Sequence, residues 1–97
     1  MPVRVETTTA KGIAGIPISV SVGTTATLLF AANTARKVAY IVNNSAQVVY
    51  VGGNVAVSTS GGIPLAANAI LVDADSISAW YAIVVSGTAD VRVMEVA

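Results

Sequence analysis

Residues 16–22 read IPISVSV, and this stretch decides the class of fold. Apolar side chains alternate in it with proline or serine, which is the two-residue period of a β-strand with one buried and one solvent-facing side. Residues 90–96 repeat this period. The sequence has no apolar stripe at the spacing of three to four residues that an amphipathic helix needs. The sequence therefore predicts an all-β protein.

Further strand-like runs follow along the chain, with turn residues about every ten positions. The predicted strands are residues 16–22, 26–30, 36–43, 47–51, 80–86 and 90–96, with short apolar pieces at 63–65 and 69–72 and a short edge strand within 55–62. About seven to eight short strands at this spacing predict a compact antiparallel β-sandwich or jelly-roll-like barrel. We expect residues 13–97 to form this single domain, and the polar, Thr-rich residues 1–12 to form an N-terminal arm.

Two features of the strand pattern predict local arrangement. Both sides of the strand at residues 36–43 are apolar, so we expect it to be central in its sheet and covered on both faces. The Asn-rich turn that follows predicts a hairpin with residues 47–51. The Gly87-Thr88 turn predicts a second hairpin, between residues 80–86 and 90–96.

Charge is scarce in this chain. Charged residues make up 10% and hydrophobic residues 55% of the 97 residues, whereas an average soluble domain has about 25% charged residues. We therefore expect apolar surface that stays exposed or is covered by further copies or by a partner. The formal net charge is zero and the basic residues are scattered, which argues against nucleic-acid binding. Asn, Gly and Pro interrupt the uncharged stretch 38–72, so we expect no membrane-spanning helix.

The side chains that most catalysis requires are also scarce. The chain has no His and no Cys, so a Ser-His-Asp triad, a thiolate nucleophile and a disulfide are excluded. Asp73 and Asp75 are the one close carboxylate pair, but a calcium loop supplies further oxygen ligands that are missing here, and we expect a solvated turn. We therefore expect no enzyme, no metal and no cofactor.

Aromatic residues are the first candidates for contacts with a partner. Trp80 and Tyr81 are adjacent on one predicted strand and so face opposite sides of the sheet. We expect one of them to lie in the core and the other to point outward. The core is the expected place for Trp80. An exposed aromatic side chain there, with Tyr40 or Tyr50 nearby, would suit sugar stacking or an interface anchor.

Two arginines complete the candidate interface residues. Arg36 opens a predicted strand, where it can pair with Asp90 or Glu95 or reach a neighbouring subunit. A solvated or locally paired arginine is the expectation there, because surface ion pairs contribute only about 0–1 kcal/mol. Arg4 lies in the predicted arm, which we expect to become ordered against a neighbouring molecule.

Several runs share a rhythm of strand, Asn-rich turn and Gly-Gly turn. They are ANTARKVAYIVNNS (32–45), VVYVG (48–52), GIPL (62–65), WYAI (80–83) and ADVRVMEV (89–96). In these runs, which span the last two-thirds of the chain, the protein resembles small β-rich virion proteins of tailed bacteriophages, most of all head decoration (capsid cement) proteins. The resemblance implies a homo-oligomer, often a trimer, seated on the lattice of the major capsid protein. It transfers no individual contact residues.

The leading hypothesis is therefore a structural virion protein on the outer surface of a capsid, made in the host cytoplasm. Another hypothesis is a carbohydrate- or receptor-binding module of a phage head fibre or tail that uses Tyr50, Trp80 or Tyr81. A small enzyme and a subunit of a larger non-viral assembly are further alternatives.

Overall fold

Two four-stranded antiparallel sheets make up residues 11–97, the part of the chain that the computed structural model describes. The strands within these residues are β1 (Ile18–Val22), β2 (Thr27–Phe30), β3 (Val38–Asn43), β4 (Val49–Gly52), β5 (Ile63–Leu65), β6 (Ile70–Asp73), β7 (Trp80–Ile83) and β8 (Ala89–Val96). The strand order is β1-β8-β3-β6 in one sheet and β2-β7-β4-β5 in the other. The predicted all-β sandwich is confirmed.

The first strand in the sequence pairs with the last, the second with the second-to-last, and so on toward the middle of the chain. β1 pairs with β8, β2 with β7, β3 with β6, and β4 with β5, all antiparallel. This is the pairing of one long hairpin that has been rolled up into two sheets, and it is the topology of a jelly roll. The chain passes from one sheet to the other between most successive strands.

The core lies between the two sheets and follows the two-residue period of the sequence. On β3 the side chains of Ala39, Ile41 and Asn43 are buried, while those between them face away from the core. The buried apolar side chains come from both sheets: Val22, Leu29, Phe30, Ala39, Ile41, Val49, Val51, Leu65, Ala82, Val84, Ala89, Val91 and Val93.

The strand predicted at residues 36–43 is central, because β3 lies between β8 and β6. The prediction that both its faces are covered is wrong. Tyr40 and Val42 are only partly buried, since they lie on the outer face of a two-layer sandwich. The second apolar side of this strand is therefore a molecular surface.

Both predicted hairpins are wrong. β3 lies in one sheet and β4 in the other, and the same is true of β8 and β7. Turn-forming residues do connect these strands, but each turn carries the chain across the sandwich. The connection after β7 lies against the one after β1, where the Val84 amide donates to the Gly23 carbonyl at 3.0 Å. Turn composition indicates that the chain reverses and leaves open which sheet it enters next.

Residues 53–62 contain turns and no strand, so the short edge strand predicted within 55–62 is also wrong. Their backbone closes on itself locally. The amide of Val57 donates to the Asn54 carbonyl at 3.1 Å, and the amide of Gly62 donates to the Ser58 carbonyl at 2.8 Å. The apolar pieces predicted at 63–65 and 69–72 correspond to the edge strands β5 and β6.

Residues 1–10 of the predicted arm lie outside the described residues. The chain that follows runs beside the end of β8. Ile13 and Ala97 exchange two backbone hydrogen bonds, of 2.6 and 3.0 Å, and the Gly15 amide donates to the Glu95 carbonyl at 2.8 Å. This pairing positions the start of β1 against the last strand.

Candidate interaction faces

Arg36 is buried and makes its contacts within the chain. Its Nη1 donates to Glu95 Oε1 at 3.1 Å, and its Nη2 donates to the carbonyl of Ser78. The guanidinium also lies over the ring of Phe30, 4.7 Å from the ring centre, in cation–π geometry. The contacts select Glu95 over Asp90 as its partner and hold the side chain away from the surface. The other candidate arginine, Arg4, lies outside the described residues.

Trp80 lies at the margin of the core and is anchored by a carboxylate. Its ring packs against the buried cluster, and its Nε1 donates to Asp73 Oδ2 at 2.9 Å. The ring is therefore a structural element of the corner between β6 and β7.

Asp73 organises that corner. Besides the indole of Trp80, it accepts hydrogen bonds from the amides of Asp75 and Ser76, at 3.0 and 3.1 Å, and from Ser76 Oγ at 2.5 Å. Burial acts to raise the pKa of Asp73, but these hydrogen bonds to the carboxylate outweigh it and lower the pKa to about 2. The expected solvated turn is present at this position, yet its first carboxylate is buried and its bonds are all made within the chain.

The outer face of the β1-β8-β3-β6 sheet is largely apolar. We call it the front face and define it by Pro17, Tyr40, Val42, Ile70, Val72 and Met94. Ile70 and Val72 on the edge strand are 61% and 52% exposed. A groove of about 270 Å³ runs across the face, and Arg92 is one of its lining residues. Arg92 pairs with Asp90 at 3.0 Å, so the charged side chain that lines the groove is paired.

A polar network borders the front face at the β1 side. Asp90 accepts hydrogen bonds from Ser19 Oγ at 2.5 Å, from Asn44 Nδ2 at 2.9 Å and from Arg92 Nε at 3.0 Å. The bonds from Ser19, Arg92 and Asn44 lower the pKa of Asp90 to about 2. An apolar centre with a polar border is the usual anatomy of a protein-binding surface.

The outer face of the β2-β7-β4-β5 sheet, which we call the back face, contains the two remaining candidate residues. Tyr50 lies opposite Ile83, and Tyr81 lies opposite Gly52, so the two tyrosines are diagonal neighbours. Diagonal neighbours have side chains about 7–8 Å apart at their origins. Both rings are partly exposed, and they lie on the face opposite the front face.

The sequence predictions did not identify the front face. Apart from Pro17, its residues lie on β3, β6 and β8, where apolar side chains occur on both sides of each strand. For the strand at residues 36–43 this signal predicts burial on both faces. The low charge of the chain is the better guide, because it predicts apolar surface outside the core, and Ile70 and Val72 provide that surface.

The chain matches no family model, and comparisons with curated proteins and with solved structures yield no match. Among residues 11–97, no cluster of three or more acidic side chains has the geometry of a metal site. The same residues contain no helix with the length and hydropathy of a membrane span.

Proposed function

We propose that this protein is a structural virion protein that decorates and stabilises a phage capsid by binding the lattice of the major capsid protein. The observation that carries the proposal is the front face, an apolar surface without an unpaired charge on a sheet of four strands. Contiguous exposed apolar patches on small proteins mark interaction sites. The resemblance to head decoration proteins supplies the class of partner.

A role of this kind requires affinity and no chemistry. A protein that binds the assembled shell and not its separate subunits shifts the equilibrium toward the shell by mass action. The apolar centre of the front face supplies the contact area, and the network around Asp90 supplies a polar border that fixes orientation. We propose that copies form a trimer and act on the outer surface of the virion after synthesis in the host cytoplasm.

Co-sedimentation with shells assembled from the major capsid protein of the same genome tests the proposal. Met94 on the front face and Ile83 on the back face are both partly buried, outward-facing residues of interior strands. We expect Met94→Glu to abolish co-sedimentation and the matched Ile83→Glu to retain it, because only the first places a charge in the contact. Absence of wild-type binding to every such shell would refute the proposal.

The back face supports a second candidate, a carbohydrate- or receptor-binding module of a head fibre or tail. The specific observation is the pair of partly exposed tyrosines, Tyr50 and Tyr81, on one sheet face. Tyrosine rings provide an apolar face for a sugar and a hydroxyl for a hydrogen bond. Titration with host-surface glycans, monitored by the fluorescence of Trp80 next to Tyr81, distinguishes this candidate. A saturable change that Tyr81→Ala removes would favour it over capsid decoration.

A further inference from the structure

Exposed sheet edges invite pairing with other chains, and most edges of this sandwich carry a feature that discourages it. Four edge strands occur within the described residues: β1, β2, β5 and β6. β5 contains Pro64, which has no amide to donate. β2 has a register shift between Leu28 and Phe30. β1 begins directly after Pro17, where its pairing with β8 changes by one residue.

β6 carries none of these protections. Its register with β3 is continuous, and its sequence, ILVD, has no proline and no lysine. Its one charged side chain, Asp73, is turned into the sandwich and held there by Ser76 and Trp80. The side chains of Ile70 and Val72 point outward onto the front face. β6 is thus the regular, uncharged edge of the sandwich.

The hydrogen-bonding groups on the free side of β6 can be identified from its register. The Asn43 amide donates to the Ala69 carbonyl at 3.0 Å, and the Asn43 carbonyl accepts from the Asn68 amide at 2.8 Å, so the backbone groups of Asn43 point toward β6. Bonded and non-bonded pairs alternate along an antiparallel ladder, so Leu71 also bonds toward β3. The amides and carbonyls of Ile70 and Val72 therefore point away from β3, where no described strand meets them.

We propose that β6 pairs with β6 of a second copy of this chain, antiparallel about a two-fold axis at Leu71. In this register Ile70 lies opposite Val72 of the second copy, and Val72 lies opposite Ile70. Each strand contributes two outward amides and two outward carbonyls, and these form four hydrogen bonds between the two strands. The β1-β8-β3-β6 sheets of the two copies then join into one sheet of eight strands, and the front faces of the two copies become continuous.

The edge is complementary to itself, which is why a second copy is the occupant. In an isologous contact the same patch of both copies meets, so a charge on this edge would lie close to the same charge of the second copy and repel it. Here the facing side chains are apolar and the chain has no net charge. Four residues per strand bury less than the roughly 1,200–2,000 Å² of a standard interface. We therefore expect pairing at high protein concentration, or where a surface holds copies close together.

This contact does not depend on the proposed capsid function. A two-fold contact doubles a monomer, and it doubles the proposed trimer where the two-fold axes meet the three-fold axis. Capsid binding and edge pairing are measured separately, so one proposal can fail while the other holds.

Disulfide trapping tests the pairing and its register, and the chain contains no cysteine of its own. Leu71→Cys places one cysteine of each copy at the two-fold axis. The Cα atoms of the two cysteines are then about 4.5 Å apart, within the range that a disulfide spans. We expect it to form covalent dimers at least about tenfold faster than Val85→Cys, an exposed control away from β6. An equal rate would overturn the proposal.

A second trapping experiment avoids any change in the core. Ile70→Cys and Val72→Cys each replace an exposed side chain. A mixture of these two variants should form mixed dimers faster than either variant forms its own dimer, because residue 70 faces residue 72. Faster dimerisation of the separate variants would exclude the register.

Solution mass gives an independent test without cysteines. Val72→Lys places a charge on the pairing edge, while Ile63→Lys places the same charge on β5 at a residue of similar exposure, 55% against 52%. In light scattering over a concentration series, wild type and Ile63→Lys should reach twice the mass of Val72→Lys. A wild-type mass that stays constant and equal to that of Val72→Lys would refute the pairing.

Discussion

Asn43 is fully buried at the end of β3, and its side chain connects three segments of backbone. Its Nδ2 donates to the carbonyls of Gln47 at 2.7 Å, Leu65 at 2.9 Å and Ala66 at 3.1 Å. Its Oδ1 accepts a hydrogen bond from Ser45 Oγ at 2.6 Å. One amide thereby ties the end of a strand in one sheet to the edge strand of the other.

We expect Asn43→Asp to destabilise the protein by more than about 3 kcal/mol, because a buried carboxylate would face carbonyl oxygens that need a donor. The matched control is Asn54→Asp, which adds the same charge. The side chain of Asn54 is exposed, and its Oδ1 accepts a hydrogen bond from the Ala56 amide at 2.9 Å. A carboxylate oxygen can accept the same bond. Urea denaturation measures both variants. Equal loss of stability in the two would contradict the role given to Asn43.

At this scale the sequence predicts local contacts better than distant ones. An asparagine at the end of an apolar strand commonly bonds to the turn that follows, as Asn43 does to the carbonyl of Gln47. The bonds to Leu65 and Ala66 come from more than twenty positions away. The burial of Arg36 depends in the same way on Glu95 and on Ser78. Such contacts depend on the fold, which residue patterns do not specify.

At the scale of elements, the corner between β6 and β7 is the clearest case of a polar group that stabilises the sandwich. Asp73 ends β6 and accepts four hydrogen bonds, one of them from Trp80 at the start of β7. Its pKa of about 2 lies below the ordinary value of 3.8. Between these two values the unfolded chain binds a proton that the folded chain does not.

The contribution of Asp73 to the free energy of unfolding should therefore be fully present above about pH 4. It should be lost as the pH falls toward about 2. Asp90, whose pKa is also about 2, adds to the same trend. Asp73→Asn should cost about 1–3 kcal/mol at neutral pH, and its difference from wild type should narrow as the pH falls. Urea midpoints over this range measure the effect. Asp75→Asn, an exposed change of equal charge, is the control, and parallel curves for wild type and Asp73→Asn would contradict the prediction.

The positions of the strands were predictable, whereas their partners were not. The two-residue period depends only on which side of a strand is buried, so it is visible in a single strand such as β8, where Ala89, Val91 and Val93 are buried. Pairing depends on where the next turn sends the chain. The turn after β3 resembles a hairpin turn in composition, but Asn43 holds it across the two sheets.

At the scale of the whole molecule, each ladder joins the first half of the chain to the second. Among the described residues, β1 to β4 form no pairs with one another, and neither do β5 to β8. Every interior strand therefore has both neighbours in the other half of the sequence. Neither half can satisfy its backbone hydrogen bonds or cover its apolar sides alone.

This topology predicts that the halves fold only together. We expect separate fragments 1–52 and 53–97 to lack β-structure by circular dichroism, and Trp80 in the second fragment to show solvent-exposed emission. The control is the chain cut within the loop at residues 53–62 and left unseparated, which should keep the native spectrum, because that loop contains no strand. Native Trp80 emission in the isolated 53–97 fragment would mean that β5 to β8 form a stable unit by themselves. That outcome would contradict this fold, because strands from the first and second halves of the chain alternate in both sheets.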